Sequence, residues 1–261
     1  DGWSKQVLVN ELMELYRAQV LGEAVALPAL PLRYVDYAVW QRSWLDAGER
    51  ERQLGYWLNQ LGSGNPALQL LTDHPRRADD RYHAAGLDAQ LPTALVKALQ
   101  RQSQSSGATL FTLLLAAFQV LLYRYGGERD IRVGVPVANR MRAEVEGMIG
   151  FFVNTQVHRN TVHARMSLTQ VMAQARDAAH GALAHQDLPF EQLVEALRPD
   201  RSLSVNPLFQ VMFNHERTDD RAFRKMPELE VEGYPLADPA AQFELVLNTR
   251  EDLDGGVTAR F

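Results

Sequence analysis

The sequence predicts a mixed α/β fold, and three observations support this prediction. Apolar residues recur at helical spacing in several long segments, of which residues 110–125 are the most apolar. Short segments rich in β-branched and aromatic residues, such as 131–137 and 149–159, are typical of strands. The two kinds of segment do not follow the regular order of βαβ units. This irregular order favours a mixed sheet with packed helices over a purely parallel sheet.

The helices are predicted from apolar spacing and from the residues at their ends. Ser4 is a suitable N-cap for the first helix, in which Leu8, Leu12 and Leu15 recur at helical spacing. The other predicted helices are residues 35–47, 49–61, 93–104, 110–125 (capped by Thr109 and closed by Gly126-Gly127), 168–184 (capped by Ser167) and a short one with Pro189 in its first turn. The aromatic residues expected in the core are Tyr34, Trp40 and Trp57.

Strands are predicted at residues 82–90, 131–137, 149–159, 209–215, 229–234, 242–249 and 256–261. In the segment 149–159, alternate side chains point to opposite faces of the sheet. The residues that form an apolar face, suited to a core, are Phe151, Val153, Thr155 and Val157. The residues on the other face are Phe152, Asn154, Gln156 and His158. Taken alone, this second face is expected to meet water, with His158 near its rim.

Composition and missing motifs exclude several classes of function. The net charge of −5 and the lack of a basic block give no reason to expect nucleic acid. The absence of cysteine excludes disulfides, thiolate catalysis and cysteine-bound metals. The longest apolar stretch, residues 110–123, is too short to span a bilayer and no signal peptide precedes it, so a cytoplasmic location without membrane contact is expected. No nucleotide-binding or metalloprotease motif is present, and no metal site is predicted.

Six segments, in order along the chain, resemble the sequence motifs of the condensation domains of nonribosomal peptide synthetases. Asp1-Gly2-Trp3-Ser4 resembles the end of that family's active-site motif, His-His-x-x-x-Asp-Gly. The other five segments are residues 34–41, 134–140, 149–159, 185–191 and 201–208, the last of which ends in Asn-Pro-Leu. The order of the six motifs makes the resemblance specific, and together they cover residues 1 to about 215.

The chain departs from the family pattern in two places. In the last motif Ser202 replaces an Asp and Val205 replaces an Arg, so no charged role is carried over to Val205. The paired histidines of the active-site motif would precede Asp1 and are not in the sequence. By this resemblance the numbering begins inside a larger polypeptide and the chain is the latter part of a condensation domain. Residues 1–261 alone are therefore expected to be inactive.

The resemblance implies a chloramphenicol acetyltransferase-like fold, in which two α/β lobes meet along a substrate tunnel. Residues 1–62 would end the N-terminal lobe, and residues 63–261 would form most of the C-terminal lobe. The implied activity is peptide-bond formation, in which the amine of an acceptor aminoacyl thioester attacks a donor aminoacyl or peptidyl thioester. Upstream and downstream peptidyl carrier proteins would present both substrates on phosphopantetheine arms, next to an adenylation domain of the same synthetase. No cofactor would be bound directly.

The resemblance also assigns roles to individual residues. Asp1 is expected to be a structural anchor of the active-site motif, which is favoured over a role as a base. The expected tunnel residues are Gly2, Trp3, Asn154, Thr155 and Gln156; for Asn154 a structural cross-link stays open. The expected lobe-contact residues are His185, Gln186 and Asp187. Asp187 suits the start of the following helix, and His185 is not expected to replace the missing histidines.

The sequence leaves alternatives open for the donor subtype of the condensation domain and for the functional class of the protein. Gln156 and residues 209–215 resemble condensation domains that take a donor ending in a D-residue, with the L-donor type as the alternative. An epimerization domain of the same fold shares the Asp-Gly motif, although residues 149–155 and 185–191 argue against it. A non-catalytic domain that docks or gates carrier proteins is the alternative from a different class.

Overall fold

The computed structural model describes residues 1–25, 27–62, 64, 66–74, 84–197, 206–217, 228–229, 234 and 241–261. The helices are α1 (Gly2–Leu21), α2 (Tyr34–Trp44), α3 (Arg50–Leu61), α4 (Thr93–Ser105), α5 (Leu110–Gly126), α6 (Ala143–Glu146), α7 (Leu168–Leu183) and α8 (Phe190–Leu197). A π-helical turn, Leu45–Glu49, joins α2 to α3. The strands are β1 (Asp88–Leu91), β2 (Asp130–Val137), β3 (Asn154–Thr161), β4 (Val211–Arg217), β5 (Leu245–Glu251) and β6 (Val257–Arg260).

The six described strands form one sheet in the order β1-β6-β5-β4-β2-β3. Strand β4 pairs in parallel with both β2 and β5, where Phe213 lies opposite Leu247. Strand β6 pairs antiparallel with both β5 and β1. The sheet therefore contains both kinds of pairing, and the prediction of a mixed α/β fold is confirmed.

Helix ends are where the sequence predictions are most accurate. Thr109 caps α5, because its hydroxyl accepts a hydrogen bond from the backbone N–H of Thr112 at 3.1 Å. The same helix ends at Gly127, whose φ of 74° lies in the left-handed region that glycine adopts without strain. Ser167 caps α7 as predicted, and together with Gln170 it forms a capping box, which was not predicted. These signals are local, so they can be read without the tertiary structure.

The first helix begins differently from the prediction. Ser4 is not its N-cap; the cap is Asp1, whose carboxylate accepts a hydrogen bond from the Ser4 N–H at 2.7 Å. Ser4 lies inside α1 and is buried. Asp is as good an N-cap as Ser, and the carboxylate three residues upstream takes the position.

Several predicted strands have different bounds in the structure. The segment 149–159 becomes a strand only at Asn154, because the N–H groups of Phe152 and Val153 donate to Asp1 rather than to a neighbouring strand. Phe151 therefore precedes the strand and is 71% exposed, so the expectation that it lies on a core-facing strand face is wrong. Of the predicted strand 82–90, only residues from Asp88 onward are strand, and residues 82–83 lie outside the described residues. The predicted strand 229–234 lies mostly outside them, as do Ser202 and Val205. Helix α6 was not predicted, since four residues are too few to show a helical period.

The chain divides into two compact units. The first comprises residues 1–52 and 137–154 with those of 219–236, and the second comprises residues 53–136, 155–218 and 237–261. The buried core of the first unit consists of Tyr37, Val145, Met148 and Phe152. The predicted lobe limits, 1–62 and 63–261, concern the complete fold and stay a prediction.

The second unit contains two clusters of buried hydrophobic residues. One cluster joins α5, α7 and the central strands, and its largest fully buried residues are Phe118, Leu115, Leu122, Ile131 and Phe213. The other cluster joins α3 and α8 to β3 through Trp57, Leu61, Val157 and Leu193. Burial of such side chains is the main stabilising contribution to folding.

The predicted core aromatics have different outcomes. Trp57 is 2% exposed, and its prediction is confirmed. Trp40 is partly buried against the core of the first unit. Tyr34 is 38% exposed, so the expectation of a core residue is wrong. Its ring packs edge-on against Phe152, and its hydroxyl donates to the Phe151 carbonyl at 2.8 Å.

The polar face of β3 is buried, contrary to the expectation that it meets water with His158 at the rim. Gln156, His158 and Asn160 are each 3–4% exposed. The Asn160 amide donates to Gln119 Oε1 at 2.7 Å, and Gln119 donates to the His158 carbonyl at 3.3 Å. Gln156 donates to the carbonyl of Ala182 at 2.9 Å. Helices α5 and α7 supply polar partners for Gln156 and Asn160, so most of the polar groups of this face are hydrogen-bonded although buried.

We expect the stability of the domain to fall as the pH is lowered from about 6.5 to about 4 because of His158. Its Nδ1 has no hydrogen-bond partner among the described residues, and burial lowers the pKa of the imidazole from 6.5 to about 4. Between these values the unfolded chain binds a proton that the folded chain does not. The stabilisation is complete above 6.5, the pKa of His158 in the unfolded chain. It is lost progressively as the pH falls to about 4, the pKa of His158 in the folded chain, by about 3 kcal/mol in total.

Urea unfolding at several pH values measures this loss, with His158→Leu as the comparison protein. The variant lacks the titrating group, so its free energy of unfolding should depend less steeply on pH over this interval. Equal slopes for the two proteins would show that His158 does not control this part of the acid sensitivity.

Candidate functional site

The carboxylate of Asp1 is held by three backbone N–H groups of the first unit. Its Oδ1 accepts from Ser4 at 2.7 Å, at the start of α1. Its Oδ2 accepts from Phe152 at 2.9 Å and from Val153 at 3.3 Å. The side chain is 4% exposed. A carboxylate with this number of N–H donors is fixed in position, and it ties the first turn of α1 to residues 152–153.

Arg140 is the buried cation beside this carboxylate. Its Nη2 lies 3.4 Å from Asp1 Oδ1 and donates to the Ser4 hydroxyl at 2.6 Å. Its Nη1 donates to the carbonyls of Val145 and Met148, both at 2.6 Å. Burial lowers the pKa of Arg140, an effect that nearby Tyr37 opposes, and a guanidinium still stays charged. The guanidinium carbon also lies 4.0 Å from the centre of the Phe152 ring.

Ser4 connects the same helix to Gly150. Its hydroxyl donates to the Gly150 carbonyl at 2.7 Å and accepts from the Gly150 N–H at 3.0 Å. With the hydrogen bond from Arg140, the one donor and both acceptor positions of the hydroxyl are used. Gly150 has no room for a side chain, since a Cβ there would lie 2.3 Å from the Tyr34 ring.

We call Asp1, Ser4, Tyr34 and Arg140 the clasp. Asp1, Ser4 and Tyr34 bind the backbone of the segment 150–153, which lies immediately before β3, and Arg140 holds the side chains of Asp1 and Ser4. Three of them, Ser4, Tyr34 and Arg140, were not predicted as site residues. Each lies in a segment that resembles a family motif, and this location was the signal in the sequence that could have identified it as a site residue.

Gly2 and Trp3 follow Asp1 in the first turn of α1. A Cβ added to Gly2 would have no atom within 4 Å, so the described surroundings do not require glycine there. Trp3 is 46% exposed, and its indole N–H donates to the carbonyl of Glu146 at 2.8 Å. Both residues therefore lie at the surface of the first unit, next to the clasp, and their predicted role in a tunnel stays a prediction.

The other three predicted tunnel residues begin β3. Asn154 and Thr155 are half-buried. Gln156 is buried in the second unit, where it donates to Ala182, and its Oε1 lies 3.2 Å from His158 Nε2. These hydrogen bonds give Gln156 a structural role that the sequence did not predict. A tunnel role for the three residues stays a prediction.

The segment His185-Gln186-Asp187 packs against α3 within the second unit. The His185 ring stacks on Tyr56 at 4.1 Å and with 4° between the planes, and its Nδ1 lies 2.7 Å from the Gly181 carbonyl. The Asp187 carboxylate accepts from Gln53 at 3.3 Å. Gln186 is buried. These contacts give His185 a packing role, while the lobe contact predicted for the segment stays a prediction.

Two further properties bear on the kind of site. Among the described residues, no group of three or more His, Asp or Glu side chains is arranged to hold a metal ion. Within the same part of the chain, no single helix is long and apolar enough to cross a membrane; α4 and α5 meet those criteria only as a pair bent by 103°.

Comparison with known families decides the assignment. The family profile described as "Condensation domain" matches residues 1–261. The chain belongs to the condensation-domain family. Curated relatives of this condensation-domain chain include a linear gramicidin synthase polypeptide from Brevibacillus parabrevis, 43% identical over 98% of the chain. Malpibaldin synthetase from Mortierella alpina is 39% identical over 97% of the chain. The chain spans 5% of the length of each of these two proteins.

Solved structures agree with this assignment. The X-domain from teicoplanin biosynthesis is 28% identical with a TM-score of 0.84, and the match covers 100% of this condensation-domain chain and 60% of that one. The first condensation domain of the calcium-dependent antibiotic synthetase, with a bound substrate analogue, has a TM-score of 0.73 at 21% identity and shows the fold alone. The recognition of a condensation domain of a nonribosomal peptide synthetase is confirmed. So is the chloramphenicol acetyltransferase-like fold, of which the chain forms a portion.

Proposed function

We propose that this condensation domain joins two substrates carried as thioesters on peptidyl carrier proteins. The amine of the acceptor aminoacyl group attacks the thioester carbonyl of the donor. A C–N bond forms, the C–S bond breaks, the amine loses a proton, and the donor's phosphopantetheine thiol is released. The observation that carries this proposal is the clasp, since the aspartate matching the family's active-site motif is buried and fixed by its neighbours.

The clasp supports a role for Asp1 as anchor rather than as base. A general base needs a lone pair that can reach the proton it removes. Both carboxylate oxygens of Asp1 already accept backbone hydrogen bonds, and the side chain is 4% exposed. The residue that deprotonates or positions the amine is then the second of the two histidines that the motif places before Asp1. Asp1 would hold their loop in near-attack geometry, which supplies much of the rate in such reactions.

The implied partners are an upstream donor carrier protein, a downstream acceptor carrier protein and a neighbouring adenylation domain. The phosphopantetheine arms belong to the carriers, so the domain itself binds no cofactor. One structure similar in fold, holo-AB3403, is a four-domain nonribosomal peptide synthetase bound to AMP and glycine, with a TM-score of 0.85 at 24% identity. Its multidomain composition is compatible with this set of partners.

The test of the proposed function uses an intact synthetase module that contains this domain, with both carriers loaded. We expect product peptide on the acceptor carrier, and a faster reaction when the donor ends in a D-residue than when it ends in the L-residue. Mass spectrometry of the two carriers over time measures both. A faster L-donor reaction would assign the L-donor subtype, and no peptide with either donor would refute the function. Residues 1–261 alone are expected to transfer no peptide in this assay.

A docking domain without catalysis is the second candidate. It is favoured by the similarity to a structure of the X-domain in complex with OxyB from teicoplanin biosynthesis, at 28% identity and a TM-score of 0.84. The same module distinguishes the two candidates: a docking domain would bind its partner protein but leave both loaded carriers unchanged.

A further inference from the structure

Phe151 is an exposed aromatic residue in a segment whose backbone is fixed. Its side chain is 71% exposed, whereas that of the next residue, Phe152, is 3% exposed. A phenyl ring of this size contributes a large apolar area, and exposing it is unfavourable unless a partner covers it. Apolar residues that are exposed singly are common on protein surfaces and need no explanation by themselves. Phe151 differs in that the backbone on both sides of it is fixed by hydrogen bonds.

The clasp binds the backbone at each of the four residues 150–153. Ser4 binds the N–H and the carbonyl of Gly150. Tyr34 donates to the carbonyl of Phe151 itself at 2.8 Å. Asp1 accepts from the two residues that follow. The ring of Phe151 is therefore presented to the surface from a rigid backbone, one residue away from the direct contact with Asp1.

We propose that Phe151 is a specificity-determining residue that contacts the apolar side chain of a thioester-bound aminoacyl group. This inference rests on the proposed function and adds to it the chemistry that the site selects. An aromatic face without charge or hydrogen-bonding groups favours apolar side chains by excluding water from them. The phenyl ring has no polar group that could act on the reacting atoms. Phe151 thus changes which substrates react well and has little effect on the chemical step.

The side chain that Phe151 contacts belongs to the donor or to the acceptor, and two arms of one experiment separate these sources. In the intact module, the first arm varies the donor between leucyl and alanyl with a fixed acceptor. The second arm varies the acceptor in the same way with a fixed donor. Each arm is run with the unmodified domain, Phe151→Ala and Phe151→Leu, and the ratio of leucyl to alanyl rates is measured.

We expect Phe151→Ala to lower this ratio about tenfold in one arm, the size of effect that a few methylene contacts produce. The alanyl rate should change by less than about twofold. Phe151→Leu keeps an apolar contact and should give an intermediate ratio. Val39→Ala is the matched control, since Val39 is also exposed, at 62%, in the same unit and outside the clasp.

The outcomes separate this inference from the proposed function. A module that forms peptide but keeps the same ratio in both arms for both variants overturns the role of Phe151 alone. An equal fall in rate for all substrates, or loss of folding in both variants, would mean that Phe151 packs against protein and also overturns it. No peptide with the unmodified domain overturns both proposals.

Discussion

Asp1→Ala in the intact synthetase is expected to lower the rate of peptide formation about 100-fold, the loss that misplacement of reacting groups by about 1 Å produces. The variant leaves three backbone N–H groups and the guanidinium of Arg140 without their carboxylate. Removing one partner of a buried ion pair costs about 3–5 kcal/mol, because the remaining charge stays buried. The free energy of unfolding should fall by a similar amount.

Two measurements test this prediction together: urea unfolding of the module and the rate of transfer between loaded carriers. Asp46→Ala is the control, because the Asp46 side chain is 62% exposed and pairs with Arg50 at the surface; such pairs contribute at most about 1 kcal/mol. Asp1→Asn retains one acceptor oxygen and should give intermediate losses. A loss of activity without any loss of stability would identify Asp1 as a base, and the loss of neither would refute the anchor.

The sequence predicts those parts of the fold that depend on local interactions. Helices α5 and α7 begin where Thr109 and Ser167 indicate, and α5 ends where Gly127 indicates. These predictions succeed because caps and left-handed glycines act within one turn. The mixed sheet follows from the order of the elements. Six short motifs were enough to recognise the family, although none of them alone specifies the three-dimensional contacts that it makes.

What could not be predicted depends on partners distant in sequence. Alternation along β3 correctly separates Val157 from His158, but it does not reveal that α5 carries Gln119 to satisfy the polar face. Likewise the local pattern favours Ser4 as the N-cap, because its hydroxyl suits a cap and nothing in the sequence shows that it instead binds Gly150, 146 residues away. Burial of polar groups is decided by such distant partners.

Arg140 is the clearest case of a residue whose importance appears only in the structure. Its five N–H donors spread in a planar fork, and four of the contacts it makes are to Asp1, Ser4 and the carbonyls of Val145 and Met148. The same side chain therefore holds the start of α1 and the turn after α6 together. In the sequence it is one Arg among many, at the end of the motif 134–140.

Arg140→Met is accordingly expected to destabilise the domain by about 3–5 kcal/mol, as for other buried ion pairs that lose one partner. Arg140→Lys should recover little of this, since an ammonium cannot reproduce the fork. Arg142→Met is the control: Arg142 lies two residues away, is exposed, and lies 4.3 Å from the Trp40 ring, a contact that contributes about 1 kcal/mol or less.

The double variant Asp1→Ala/Arg140→Met decides whether the clasp acts as one unit. Each single variant leaves a buried charge without its partner, whereas the double variant leaves none. Its loss of stability should therefore be smaller than the sum of the two single losses, by about 1–3 kcal/mol in a double-mutant cycle measured by urea unfolding. Additive losses would mean that Asp1 and Arg140 stabilise the segment 150–153 independently, and the anchor would then consist of the backbone hydrogen bonds of Asp1 alone.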